Sequence, residues 1–287
     1  MPVFRAGDGT ELAYHVQGDG APLVCLPGGP MRDSAYFGDL GGLSASRRLI
    51  TLDLRGTGQS AVPADPASYR CGRLADDVAA LQDHLGLDRM DLLGHSAGAN
   101  IATRYAARYP GQVSKLALIT PSTRAVGLAP SSEMRREIVN LRRAEPWFAE
   151  GAAAFDRLQS GSDTDEDWDA VAPFFYGRWD ATAQAHSAAN EEQVNEEAAA
   201  VFVGPGSFDP EATRAALAAF TSPVQVLAGE VDVNTPPRLA AELATLFPDA
   251  RLAVQPGAGH YPWLDDPAWF TSAVTAFLDG GFAAAAE

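Results

Sequence analysis

Cysteine is scarce in this 287-residue sequence, and the two that occur, Cys25 and Cys71, form no C-x-x-C motif. A disulfide framework and a thiolate metal site therefore have no basis in the sequence, and we expect both thiols to be reduced. The glycine loop at 52–60 lacks both the G-x-G-x-x-G pattern and the Walker lysine of nucleotide-binding loops. We accordingly expect a protein that uses neither a metal nor a cofactor.

Positive charge is also in short supply. Lys115 is the single lysine beside 20 arginines, against 37 acidic residues, so the net charge is −16 and the isoelectric point lies near 4.6. Nucleic acids and anionic membranes attract basic surfaces. The charge balance therefore argues against both as partners.

Long apolar runs are missing as well. No run approaches the roughly 18 residues that span a bilayer, and residues 1–16 lack the basic and apolar regions of a secretory signal. We therefore expect a cytoplasmic protein. The content of 46% hydrophobic and 20% charged residues is typical of a globular chain with a large core.

Apolar runs alternate with amphipathic stretches in the first 121 residues. This alternation predicts a mostly parallel central sheet with helices on both faces, in the α/β class. The predicted strands are 11–18, 22–27, 48–54, 90–94 and 115–120, and the predicted helices are 74–86 and 98–111.

The alternation stops at about residue 122 and returns at about 206. The intervening residues predict several helices rich in charged and aromatic side chains, without a strand. We therefore predict a core domain of residues 1–121 and 206–287, with a helical cap of residues 122–205 inserted into it. In the second core segment, strands are expected at 223–229 and 250–256, and helices at 209–220, 236–247 and 264–279.

Ser96 lies in the sequence GHSAG (94–98), between a predicted buried strand and a predicted helix. A sharp strand-turn-helix needs small residues two positions before and after the serine, because the backbone packs tightly around it. The helix start also supplies unpaired N–H groups, which favour a developing negative charge. Ser96 is therefore the predicted nucleophile.

A nucleophilic serine needs a base and an acid that orients the base, and in this topology they follow in the order serine, acid, histidine. His260 lies in the glycine-rich loop after the last predicted strand and is the predicted base. Glu230 and Asp232 both follow the preceding strand. We favour Asp232 as the acid, while Glu230 is a candidate to reach toward the substrate pocket.

The oxyanion of a tetrahedral intermediate needs two N–H donors. One is expected from Ala97, directly after the nucleophile, and the other from the loop after the strand at 22–27. Glycines in that loop allow close approach of the backbone to a carbonyl. We place the second donor at Gly29.

The motifs LPGGP (26–30), LDLRGTGQS (52–60), GHSAG (94–98) and GAGH (257–260), in this order, resemble the α/β-hydrolase fold, and most closely its proline iminopeptidase-like branch. The resemblance covers roughly residues 20–120 and 220–280. It implies a serine hydrolase in which Ser96, Asp232 and His260 form a triad, with an acyl-enzyme intermediate hydrolysed by water. Pro27, Met31 and Ala97 depart from the branch's pattern, which affects the shape of the pocket.

In that branch, carboxylates from the cap bind the free α-amine of the substrate. The cap carries four glutamates between residues 191 and 197, and like charges four apart on a helix repel by about 0.2–0.5 kcal/mol. On one continuous helix Glu192 and Glu196 would share a face, so they are the candidates for binding a substrate ammonium. The alternative is a solvated acidic surface. Trp263, three residues after His260, is a further candidate to border the pocket.

The leading hypothesis is an aminopeptidase that releases an N-terminal amino acid from a peptide or an aminoacylated small molecule, such as a biosynthetic intermediate. The alternative is an esterase or lactonase of secondary metabolism that takes an apolar acyl ester. A non-catalytic binding protein of the same fold is a third possibility, and an intact triad argues against it. We expect a small-molecule or short-peptide substrate.

Overall fold

Eight strands form one sheet in the computed structural model, which describes residues 1–281. The order is β1-β2-β4-β3-β5-β6-β7-β8, with β1 and β2 antiparallel to their neighbours and all later pairs parallel. The predicted mostly parallel sheet is confirmed, and β1 is an additional strand that was not predicted. The strands are β1 (Val3–Arg5), β2 (Glu11–Gln17), β3 (Ala21–Leu26), β4 (Arg47–Leu52), β5 (Met90–His95), β6 (Val113–Ile119), β7 (Val224–Gly229) and β8 (Ala250–Gln255).

The central strands are buried on both faces, which explains their near-continuous apolar sequences. Val24 of β3 pairs with Ile50 of β4 on one side and with Leu92 of β5 on the other. Leu92 in turn pairs with Leu116 of β6. None of these four side chains is more than 1% exposed.

Helices cover both faces of the sheet, as predicted. α1, α2, α9 and α10 pack on one face, and α12 packs on the other. The helices of the two core segments are α1 (Cys71–Leu85), α2 (Ala97–Arg108), α9 (Pro210–Leu217), α10 (Pro237–Ala244), α11 (Pro262–Asp265) and α12 (Pro267–Leu278). The single helix predicted over 264–279 is two, because Asp266 ends α11 and its side chain caps the first turn of α12.

Between β6 and β7 the described chain contains helices and no named strand. The helices that precede α9 are α3 (Ser132–Leu141), α4 (Phe148–Gln159), α5 (Asp165–Val171), α6 (Ala181–Ala188), α7 (Asn190–Gln193) and α8 (Glu196–Val203). Buried residues of α3, α4 and α5 form a separate apolar cluster with Val231 and Val233, which follow β7. The limits of the cap and of the core domain stay predictions, and residues 282–287 lie outside the described residues.

The acidic stretch of the cap is not one helix, and that expectation was wrong. α7 ends at Gln193 and α8 begins at Glu196, with Val194 and Asn195 extended between them. Val194 forms an antiparallel bridge with Arg32. Glu192 and Glu196 therefore belong to different helices and share no helical face.

The strand order reverses between β3 and β5, since β4 lies beyond β3 and β6 lies beyond β5. A reversal of this kind opens a crevice at the carboxyl ends of the strands. Leu26, at the end of β3, pairs with Gly94 near the end of β5. The loop after β3 and the turn after β5 are therefore neighbours.

We predict that Gly98→Ala destabilises the fold. A Cβ at Gly98 would lie 2.2 Å from the carbonyl oxygen of Leu26 and 2.5 Å from that of Pro27, so the backbone of the loop after β3 has to move. Overpacking of this kind costs about 1–3 kcal/mol. Urea unfolding followed by circular dichroism measures the change.

Gly72→Ala is the matched control, because Gly72 also lies in a helix and an added Cβ there meets nothing within 4 Å. We expect this variant to be as stable as the wild type or more stable by up to about 1 kcal/mol. Equal unfolding midpoints for the two variants would contradict the predicted clash.

Candidate active site

Ser96 occupies the turn between β5 and α2 with φ 51° and ψ −119°, a conformation that a non-glycine residue rarely adopts. Such a conformation costs about 1–3 kcal/mol and persists only where the surroundings enforce it. Here the Ser96 N–H donates to the Ile119 carbonyl at 3.0 Å, and the Ser96 carbonyl accepts from the N–H groups of Ala99 (3.0 Å) and Ser122 (2.9 Å). The turn therefore fixes the direction of the Ser96 side chain.

A chain of hydrogen bonds joins the three residues predicted as a triad. The Ser96 Oγ lies 2.8 Å from Nε2 of His260, and Nδ1 of His260 lies 2.9 Å from Oδ2 of Asp232. Asp232 is fully buried and His260 is 4% exposed. A carboxylate at Nδ1 holds the imidazole proton there, so Nε2 is free to accept the proton of the serine.

Glu230 takes a different position from Asp232. Its exposed carboxylate accepts a hydrogen bond from the N–H of Gly257 at 2.7 Å. Asp232 completes its own bonding through Oδ1, which accepts from the N–H of Asn234 at 2.8 Å. The structure thus brings Asp232 to His260 and uses Glu230 to join two neighbouring loops; a role of Glu230 toward substrate stays a prediction.

The loop that carries His260 is held by the cap. The His260 N–H donates to the carbonyl of Phe175 at 2.7 Å. The carboxylate of Asp265 accepts from the N–H of Gly259 at 2.8 Å and from the N–H of Gly177 at 2.9 Å. Burial raises the pKa of Asp265, and its hydrogen bonds from backbone N–H groups oppose that effect. The loop of His260 and the cap segment near Phe175 are therefore joined by hydrogen bonds.

The loop after β3 closes over Ser96. A Cβ at Gly28 would lie 2.8 Å from the Ser96 Cβ, so this approach requires glycine. The Gly28 N–H donates to the Tyr36 hydroxyl at 2.8 Å. Among the hydrogen bonds of residues 1–281, none is donated by the N–H of Gly29. Ala97 is the first residue of α2, so its N–H has no acceptor within the helix. These two donors are the pair predicted for the oxyanion.

The cap segment between the two glutamates contacts this same loop. The Asn195 N–H donates to the Met31 carbonyl at 3.0 Å, and the Asp33 N–H donates to the Gln193 carbonyl at 2.8 Å. The side chain of Asn195 donates to the Gly56 carbonyl at 2.8 Å and caps α8 with its oxygen. Glu192 and Glu196, on either side, are exposed. Their predicted binding of an amine stays a prediction.

Trp263 does not border the triad directly. It is 1% exposed and packs edge-on against the ring of His95, with 4.8 Å between ring centroids. It lines a cavity of about 530 Å³ between core and cap, and no triad residue contributes to that cavity. Contact of Trp263 with substrate stays a prediction.

Sequence reasoning missed four residues that hold this site. Tyr36 and His95 connect the loop after β3 to the loop of His260, Asp265 joins that loop to the cap, and Asn195 joins the cap to the loop after β3. Of these four residues, only His95 could have been singled out from the sequence, because it directly precedes the predicted nucleophile. The other three are ordinary polar residues whose roles depend on contacts far away in the chain.

Residues 1–281 contain no group of three or more histidine, cysteine or acidic side chains placed to hold a metal ion. No helix among them has the length and apolar character needed to cross a membrane.

Residues 21–267 match the family described as alpha/beta hydrolase fold. The chain therefore belongs to that family, and it is a hydrolase of the α/β class. A non-heme haloperoxidase of Rhodococcus erythropolis is 30% identical over 273 residues, which cover 91% of this chain and 93% of the relative.

Two solved structures illustrate the range of chemistry among similar proteins. A proline iminopeptidase of Mycobacterium smegmatis has a TM-score of 0.74 and 26% identity, covering 97% of this chain and 98% of that one. The esterase RhEst1 of Rhodococcus sp. ECU1013 has a TM-score of 0.71 and 26% identity, covering 97% and 99%. The resemblance to the proline iminopeptidase-like branch is confirmed, and an esterase is equally similar.

We predict that acid destabilises the protein through His186. Burial, together with the charge of Arg32, lowers the pKa of His186 to about 4, whereas an unfolded chain has a histidine pKa of about 6.5. Between these values the unfolded chain binds a proton that the folded one does not. Stability therefore falls as the pH drops from about 6.5 to about 4, by up to about 3 kcal/mol.

Unfolding by urea at pH 7 and pH 4 measures this loss. His186→Asn keeps an acceptor for the Tyr176 hydroxyl, which lies 2.8 Å from Nδ1, and removes the titration, so its stability should depend less on pH. His84→Gln, at an exposed position, should keep the wild-type dependence. The same dependence in His186→Asn as in the wild type would show that His186 is not responsible.

Proposed function

We propose that this chain is a serine hydrolase that forms an acyl-enzyme on Ser96. The observation that carries the proposal is the unbroken hydrogen-bond chain from Ser96 through His260 to buried Asp232. A serine hydroxyl is a weak nucleophile until a base accepts its proton. This chain supplies the base, and a carboxylate that orients it, on a turn that presents the hydroxyl.

The proposed reaction has two halves. Ser96 attacks the acyl carbon while His260 takes the proton, and the N–H groups of Gly29 and Ala97 stabilise the oxyanion. His260 then gives the proton to the leaving group, and the acyl-enzyme forms. Water, activated by the same imidazole, releases the acid. Asp232 stabilises the imidazolium that exists during each half.

We propose an ester of a carboxylic acid as the substrate. Glu192 and Glu196 are exposed and lie on separate helices. An exposed ion pair contributes about 0–1 kcal/mol. A tenfold preference for a free amine would need about 1.4 kcal/mol. A free amine would therefore gain little from these carboxylates. The similarity to esterase structures supports the same class.

An aminopeptidase is the second candidate, and a specific contact favours it. The segment between Glu192 and Glu196 bonds to the backbone of Met31 and Asp33, beside the proposed oxyanion donor Gly29. Each glutamate is therefore the immediate chain neighbour of a residue that bonds to the loop contacting Ser96. The similarity to a proline iminopeptidase supports this candidate.

We predict that Ser96→Ala loses both labelling by a fluorophosphonate probe and hydrolysis of p-nitrophenyl acetate, because the nucleophile is gone. Asp232→Asn should lower kcat by about 10⁴-fold through the wrong histidine tautomer. Gel fluorescence and a spectrophotometric assay are the measurements. Ser132→Ala, which changes an exposed serine in the cap helix α3, should behave as the wild type.

Wild-type protein that folds but takes up no probe would exclude the serine hydrolase and favour the non-catalytic binding protein. Labelling that survives in Ser96→Ala would place the nucleophile elsewhere in the chain.

We predict that a free amine is not required. Leucine p-nitroanilide and leucine naphthylamide, each with free and N-acetylated amines, are compared with p-nitrophenyl butyrate. For the esterase, kcat/KM is highest for the ester, and free and blocked amines differ by less than about tenfold.

A preference for the free amine well beyond that limit would overturn the esterase in favour of the aminopeptidase. In that case Glu192→Gln and Glu196→Gln should raise KM for the free-amine substrates and leave ester hydrolysis unchanged. Glu133→Gln, in the cap helix α3, is the matched control for removing an acidic charge from the cap.

A further inference from the structure

We propose that Tyr36 and His95 are positioning residues that hold the oxyanion loop and the loop of the catalytic histidine at a fixed spacing. This inference rests on the proposed serine hydrolase. Both side chains are buried, at 5% and 1% exposure, and neither has a place in the reaction described above. They lie between Gly28, on the loop after β3, and the backbone of His260.

The N–H of Gly28 fixes the donor and the acceptor in each hydrogen bond that follows it. The Gly28 N–H can only donate, so the Tyr36 oxygen accepts from it, at 2.8 Å. The Tyr36 hydroxyl then donates its own proton to Nδ1 of His95, at 2.6 Å. With Nδ1 an acceptor, Nε2 of His95 carries the ring proton and donates to the His260 carbonyl, at 2.9 Å. One tautomer satisfies every group.

The burial of the pair keeps both groups neutral. Burial raises the pKa of Tyr36 well above its usual value and lowers the pKa of His95 well below its usual value. The tautomer deduced above therefore persists at neutral pH. A charged group in either position would break the order of donors and acceptors.

The backbone of His260 is held on both sides. Its carbonyl accepts from the Thr120 hydroxyl at 2.9 Å as well as from His95, and its N–H donates to Phe175. Thr120 itself has a left-handed backbone, with φ 39°, and its N–H donates to Leu227 at 2.7 Å. The bond from His95 is the one contact among these that leads to the oxyanion loop.

The same connection determines which N–H serves the oxyanion. Tyr36 engages the Gly28 N–H, so the next donor along the loop, at Gly29, is left for substrate. Removal of the Tyr36 hydroxyl would leave the Gly28 N–H and Nδ1 of His95 buried without partners. Buried polar groups without partners drive local rearrangement, and a shift of about 1 Å in a catalytic group costs about 100-fold in rate.

Tyr36→Phe and His95→Gln test the inference. Phenylalanine keeps the ring and removes the hydroxyl, whereas the glutamine amide keeps a donor near the position of Nε2 and gives up the bond to Tyr36. Tyr14→Phe is the matched control, since Tyr14 is also buried and its hydroxyl also contacts a histidine, His84, at 3.3 Å.

Rates of p-nitrophenyl acetate hydrolysis are measured per active site, counted by stoichiometric fluorophosphonate titration. We expect kcat to fall by about 10- to 100-fold in Tyr36→Phe and in His95→Gln, with KM within about twofold of the wild type. The double variant should lose about as much as the more impaired of the two single variants, because either substitution already breaks the Tyr36–His95 bond. Tyr14→Phe should keep the wild-type kcat.

Wild-type kcat per titrated site in Tyr36→Phe and His95→Gln would overturn the positioning role. So would losses that multiply in the double variant, or a loss confined to KM. A fall in the number of titrated sites with kcat per site unchanged would mean that the residues serve folding alone. Failure of the proposed function is distinguishable, since hydrolysis by Ser96→Ala at the wild-type rate would remove the serine mechanism itself.

Discussion

The close approach of two backbones, at the end of β3 and in the turn after β5, is the constraint on which the site depends. Gly28 lies against the side chain of Ser96, and Gly98 lies against the carbonyls that end β3. Neither contact leaves room for a side chain. The strained backbone of Ser96 is enforced by this packing and by hydrogen bonds to β6 and to the residues after it. This strained turn lowers the free energy of unfolding and fixes the position of the proposed nucleophile.

The sequence predicted the fold well because a parallel sheet with helices on both faces leaves a recognisable pattern in each short segment of the chain. Buried strands are short apolar runs and the helices between them are amphipathic, so the sheet class and most elements were correct. The order of Ser96, Asp232 and His260 followed from the same topology. β1 was missed because three residues are too few to show a period. The expectation that Glu192 and Glu196 share a helical face was wrong, because the chain is extended at Val194 and Asn195, where Val194 bridges to Arg32.

The sequence could not predict the residues that hold the site together, because their roles depend on contacts between residues far apart in the chain. Asp265 and Asn195 bond to backbone groups of segments far away in the chain, and no spacing rule points to either. Tyr36 is likewise an ordinary aromatic residue until the fold brings its hydroxyl to His95. The substrate is harder still to predict, because exposed carboxylates and aromatic cap residues are compatible with more than one acyl group. Reaction chemistry is encoded in few positions, and selectivity is spread over many.

The bridge between Val194 and Arg32 has a consequence for how this protein can change over evolutionary time. A cap inserted in a loop is often regarded as a module that relatives exchange freely. Here one strip of the cap is hydrogen-bonded to the backbone that carries Gly29, and another is hydrogen-bonded to His260. Replacing the cap would disturb both. These two strips of the cap therefore have to change together with the core.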